Sequence, residues 1–288
     1  MGARATNCIN RPFAEKSMTL QLKPLSQWSL FLAPIAISSM IADSPAIAAT
    51  FAASSAQVDI SGFSQNPTTI GTFRSTDTQA LGNAEALAAA TATFQVDYQN
   101  RNLTQAANQT ESLAQGTGRS NYSGLAVSFA EVIGQTFLVK AGDPFALKFK
   151  ALLNLAVATD GAPQESATVD GTIALGIFNQ QEGQLLDSFS LFSSLGTQDS
   201  ARLELKNTAA FTVNANVNAL LGGLDKSTTI TVDGQYARVF DQNISLTLIE
   251  RKESRAAVEV PEPHSAALLL VFFAAIGRFG LKQRTSVE

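Results

Sequence analysis

The chain has 288 residues, 45% of them hydrophobic and 15% charged, with a net charge of −4. Between residues 49 and 262 it holds 13 Lys or Arg against 21 Asp or Glu, a balance of −8 that argues against a nucleic-acid partner held by a basic surface. The same span contains no Cys, His, Trp or Met, which excludes disulfides, imidazole-dependent Ser or Cys catalysis, and zinc, copper or haem ligation.

The N-terminal 48 residues read as a secretory signal. Arg4, Arg11, Lys16 and Lys23 precede a mostly apolar stretch from Trp28 to Ala42, expected to be the signal helix. Small residues follow at signal-peptidase spacing, with Ala46 and Ala48 before the cut and Ala49 after it. Met18 gives a more ordinary signal length than Met1, so residues 1–17 are expected to be a gene-start artefact. Cys8 precedes the apolar stretch and cannot serve as a lipoprotein cysteine.

The body, residues 49–253, is expected to be one secreted all-β domain. Val58 to Phe63 reads as a strand. Ala80 to Ala90 is Ala-rich and predicts a short helix. Phe94, Val96 and Tyr98 alternate as in a strand. Residues 100–121 are rich in Asn, Gln, Ser, Thr and Gly and predict a long loop with one helical turn. Leu125, Val127 and Phe129 restart the sheet. Phe145 to Val157 alternates without a break, with Lys148, Lys150 and Asn154 on the opposite face, as in a sheet wet on one side. Ala167 to Ile177 repeats the pattern. Strands follow over Leu185 to Leu195, Leu203 to Leu205 and Phe211 to Val217. A turn at Leu221-Gly222-Gly223 leads to Thr228–Val232, and Asp233-Gly234 predicts a hairpin to Tyr236–Phe240. Ile244, Leu246 and Leu248 complete the set. Short strands at regular spacing predict an antiparallel β-sandwich, jelly-roll-like, with the Ala-rich helix near its start.

Residues 254–263 read as a tether that ends in Pro261, Glu262 and Pro263. The prolines hold the chain extended. An apolar run from Ala266 to Gly277 and the basic residues Arg278, Lys282 and Arg284 fill residues 264–288. The apolar run predicts a membrane helix with its basic end on the cytoplasmic side. A proline-acid-proline triplet, an apolar segment and a basic tail, in that order, resemble the PEP-CTERM sorting signal. Residues 135–160 and Ile244 to Glu250 are loosely similar to cyanobacterial proteins carrying that signal. The resemblance implies an exported chain, located in the cell envelope or outside the cell. It also implies membrane contact through the C-terminal helix, with an exosortase and signal peptidase as processing partners.

Candidate sites within the body are sparse. Thr212, Asn214, Asn216 and Asn218 share one face of a strand and offer a row of hydrogen-bonding groups for sugar hydroxyls. Asp160-Gly161, Asp170-Gly171 and Asp233-Gly234 suit turns better than calcium, which needs 6 to 8 oxygens. Asp and Glu are plentiful, yet no pair stands out by its spacing as a glycosidase's would. The expected function is a non-enzymatic surface or matrix protein, with no cofactor, metal or catalytic residue. Its alternatives are a carbohydrate-binding module for exopolysaccharide and, behind it, an acid-base glycan hydrolase.

Overall fold

The computed structural model describes residues 49–99, 104–118, 121–161, 165–198 and 201–260. The signal segment, the Pro261–Pro263 motif, the apolar run and the basic tail lie outside the described residues.

The described residues form twelve strands: β1 (Ala49–Ser61), β2 (Thr69–Leu81), β3 (Ala84–Gln95), β4 (Gln105–Thr117), β5 (Tyr122–Val139), β6 (Pro144–Ala158), β7 (Ser166–Asn179), β8 (Gln184–Gly196), β9 (Arg202–Asn207), β10 (Phe211–Leu220), β11 (Asp225–Val239) and β12 (Ile244–Val260). They build two antiparallel six-stranded sheets packed face to face, consistent with a β-sandwich. The first sheet has the order β10-β11-β6-β1-β4-β3 and the second β2-β5-β12-β7-β8-β9.

Period-two alternation places the core where the sequence expects it in β6 and β7. Phe145, Leu147, Phe149, Leu153, Leu155 and Val157 point inward from β6, and Val169, Ile173, Leu175 and Ile177 meet them from β7. Aromatic rings fill one region of the core. Phe137 packs on Phe145 with ring centroids 4.9 Å apart, Phe149 on Phe189 at 4.8 Å, and Phe211 on Tyr236 at 4.9 Å.

Four local expectations are corrected. The Ala-rich segment 80–90 is not a helix. It is the end of β2, a turn at Gly82 with φ +65°, and the start of β3, so that the chain crosses here from one sheet to the other. A Cβ at Gly82 would meet the Asn121 carbonyl oxygen at 2.2 Å, so close backbone approach also selects glycine. Alanine's helix propensity is a weak preference that tertiary pairing overrides, here by a full ladder between β3 and β4.

Residues 105–117, expected within a loop, form β4. Its inward row is Ala106, Asn108, Thr110, Ser112 and Ala114, and the polar members of that row disguise a buried strand. Asp233-Gly234 is not a turn, since β11 runs straight through it. Gly234 lies opposite Phe149 on β6, and a Cβ there would sit 2.1 Å from the Phe149 ring. The glycine makes room for the ring. Asp170-Gly171 is likewise internal to β7.

Residues 254–260 are not a tether. They continue β12, paired through Val260 to Tyr122 on β5 and through Glu259 to Ser166 on β7. Their alternation brings Ser254, Ala256, Val258 and Val260 inward.

β5 carries a further departure. Its strand is present, but Gly124, Ala126, Ser128 and Ala130 face inward, while Leu125, Val127 and Phe129 line the other face. The pairing with β12 shifts between Leu246 and Leu248. Opposite that shift, Thr136 adopts φ +59° and the inward phase changes from Gly134 to Phe137. A bulge of this kind re-aims the side chains that follow it.

Candidate functional site

The small inward residues of β4 and β5 let hydroxyls meet across the sheets. Thr110 and Ser254 hydroxyls are 2.9 Å apart, as are those of Ser112 and Ser128. The Ser112 hydroxyl also donates to the Ser254 carbonyl at 2.8 Å. All of these residues are buried.

Below this strip lies the most unusual group in the molecule. β12 sends Glu250 and Lys252 inward, two residues apart on the row that also carries Leu246 and Leu248. β4 sends Asn108 toward them from the opposing sheet. Asn108 Nδ2 donates to Glu250 Oε2, and Lys252 Nζ stands 3.2 Å from Glu250 Oε1. The Glu250 and Lys252 side chains have 0% exposure, and Asn108 is 3% exposed.

The Lys252–Glu250 pair is close enough for attraction but lacks hydrogen-bond geometry. Among the described residues, Asn108 Oδ1, Glu250 Oε1 and Lys252 Nζ therefore have no hydrogen-bond partner. Burial pushes the Glu250 carboxyl up, against the opposing pull of Lys252 and Asn108. Burial pushes the Lys252 amine down to about 8, against the pull of Glu250. Both displacements favour moving one proton from the amine to the carboxylate, because low dielectric penalises charge.

Two other charged groups sit at the margins of the core. Asp187 on β8 is almost enclosed. Its Oδ2 accepts from the Tyr236 hydroxyl at 3.0 Å and from Arg238 Nη1 at 2.8 Å, and its Oδ1 accepts from the Thr208 hydroxyl at 2.9 Å. The Arg238 guanidinium also lies 5.1 Å from the centre of the Phe240 ring. Burial, followed by the Asp187 charge, pushes the Tyr236 hydroxyl well above the ordinary tyrosine value. Every donor in this corner has a visible purpose in holding one carboxylate.

The second group is Glu165, which is 3% exposed. Among the described residues, neither of its carboxylate oxygens accepts a hydrogen bond of good geometry. Burial, with the adjoining Asp160 carboxyl, pushes it up to about 6. A proton held between the two acids satisfies both.

Asn214, Asn216 and Asn218 project from the exposed face of β10, an edge strand. Their cross-strand neighbours on β11 are Asp233, Thr231 and Thr229. The structure thus brings the three asparagines into one polar row. It does not bring the three Asp-Gly pairs together, since Asp160 lies in the loop after β6 while Asp170 and Asp233 lie within strands of different sheets. Among the described residues, no three His, Cys, Asp or Glu side chains are grouped to hold a metal ion. Ala46, Ala48, Pro261, Glu262, Pro263, Arg278, Lys282 and Arg284 lie outside the described residues, and Ala49 opens β1.

Sequence reasoning passed over Asn108, Glu250 and Lys252. The available signal was phase: Leu246, Leu248, Glu250, Lys252 and Ser254 share one parity, so a strand burying the leucines buries the charges. Comparison with protein-family models, curated proteins and solved structures gave no match.

Proposed function

We propose that the chain is an exported, non-enzymatic protein of the cell surface or extracellular matrix. The N-terminal signal directs secretion, and the PEP-CTERM-like end presents the folded domain to an exosortase at the membrane. The observation that carries this reading is the position of β12. It is an interior strand, hydrogen-bonded along its length to β5 and β7, and its last residue, Val260, directly precedes Pro261. A domain held by its C-terminal segment passes any pull into two antiparallel ladders loaded in shear, rather than into an edge strand that peels.

Deleting Pro261 to Pro263 tests the reading. Envelope fractionation and the C-terminal peptide should both change in the deletion strain. An unchanged distribution with an unchanged C-terminus counts against it.

A second reading, exopolysaccharide binding, is favoured by one observation: the aligned, exposed row of Asn214, Asn216 and Asn218 beside Thr229 and Thr231. Such a row supplies donors and acceptors at the two-residue strand repeat. Replacing Asn214 and Asn216 with bulky residues should weaken retention on the cell's own polysaccharide. No measurable glycan binding by the unaltered protein sinks this reading.

A further inference from the structure

We propose that Lys252 and Asn108 become joined by an intramolecular amide bond, with Glu250 carrying the protons. The geometry assigns this role because three complementary groups meet in a site closed to water. β12 supplies an amine and an acid two residues apart, and β4 supplies a carboxamide from the facing sheet. Amine and carboxamide occupy the two oxygens of one carboxylate, with Lys252 Nζ at 3.2 Å from Oε1 and Asn108 Nδ2 donating to Oε2.

As separate side chains these groups leave three buried atoms without hydrogen bonds. Buried polar atoms are paired in the great majority of cases, and a buried ion pair with unfilled valences is unfavourable. Joining Nζ to the Asn108 Cγ replaces a buried ammonium with a neutral amide. Its N–H faces the Glu250 carboxyl.

The chemistry balances without any other reagent. Lys252 first gives one proton to Glu250, leaving a neutral amine and a carboxylic acid. Desolvation favours that form, and a neutral lysine in an apolar site is a competent nucleophile. A half-turn of the Asn108 carboxamide lets the Glu250 acid donate to Oδ1, as buried neutral carboxylic acids do. The Nζ lone pair then attacks Cγ and the carbonyl electrons move to Oδ1. A proton passes from Nζ through Glu250 to Nδ2. The Cγ–Nδ2 bond breaks, the carbonyl re-forms, and ammonia departs. Glu250 retains the proton it first received. Enforced proximity drives the step, and exclusion of water protects the product from hydrolysis.

The bond would tie β12, the strand that leads to the sorting end, to β4 in the opposing sheet. It would supply a covalent cross-link in a body that has no cysteine.

Full-length protein, unfolded and digested with trypsin, tests the proposal by mass spectrometry. The expected product is a branched species in which the peptide Asn102–Arg119 is joined to Lys252–Arg255. Its mass should be lower by about 17 Da than the sum of the two peptides, the mass of the ammonia lost in the acyl transfer. Glu250→Gln should yield Asn102–Arg119 unlinked, with trypsin cutting after the free Lys252 to release Glu253–Arg255. If that variant does not fold, Glu250→Asp is read instead, with slower linkage after synthesis. Wild-type protein that melts cooperatively yet releases an unlinked Asn102–Arg119 peptide overturns the bond. A folded Glu250→Gln variant that still gives the branched species overturns the role of Glu250.

Discussion

The Asp187 corner offers a sharp test of how the margins of the core are held. Tyr236 is 1% exposed, and its hydroxyl donates to Asp187 Oδ2 at 3.0 Å. Replacing Asp187 with Ala strands that hydroxyl, whereas Arg238, whose side chain is 40% exposed, can rehydrate. Stranding a buried hydroxyl costs about 1–3 kcal/mol, and loss of the charge-assisted bonds adds about 1 kcal/mol more. Tyr236→Phe alone leaves the carboxylate with Thr208 and Arg238 and should cost about 1 kcal/mol. In the Asp187→Ala background the same change removes a stranded group and should be neutral or stabilising. The two substitutions are therefore expected to couple by about 1–3 kcal/mol, well outside the ~0.5 kcal/mol range of independent sites. Urea unfolding of the wild type, both single variants and the double variant measures the coupling from midpoints at constant slope. Additive losses would refute the claim that Asp187 and the Tyr236 hydroxyl form one unit.

Gly234→Ala should destabilise by about 1–3 kcal/mol, because the new methyl overlaps the Phe149 ring, which packing on Phe189 and Phe211 holds in place; a thermal melt unchanged from wild type would show that the ring moves freely. Glu165 titrates at about 6 in the folded protein against 4.5 when unfolded. The folded state then holds the extra proton between those values, so its stability should fall as pH rises through that window and level off above it. Glu165→Gln should remove this slope, giving a variant that gains on wild type from pH 4 to pH 7 in urea titrations. Parallel stability curves for the two proteins would contradict the assignment.

The strands with large apolar residues on one parity were legible in the sequence. β6 and β7 show their inward rows directly, because Phe145, Leu147 and Phe149 alternate with Lys148 and Lys150, and the same holds for Ala167 to Ile177. β3, β4 and the end of β12 were hidden for related reasons. In β3 alanine carries no strand signature, so local preference points to helix while pairing with β4 decides otherwise. In β4 the inward row includes Asn108, Thr110 and Ser112, which pair with groups on the other sheet. In β12 the sequence Glu250 to Arg255 looks solvated when read by composition and half-buried when read by parity. Asp233-Gly234 misled because a glycine that admits a neighbouring ring has the same letter as a glycine that turns a chain. The asparagine row on β10 was visible from spacing alone. The buried amine, acid and carboxamide needed the third dimension, since residue 108 and residue 252 meet only when the sheets close.

The most direct test of the proposed function is the pair of terminal peptides of the protein isolated from its native envelope. A chain that starts near Ala49 and ends close to Pro263 is the predicted result, and it ties export to cleavage at the sorting motif. A chain that still ends at Glu288 would contradict sorting-linked processing and leave Pro261 to Pro263 without that role.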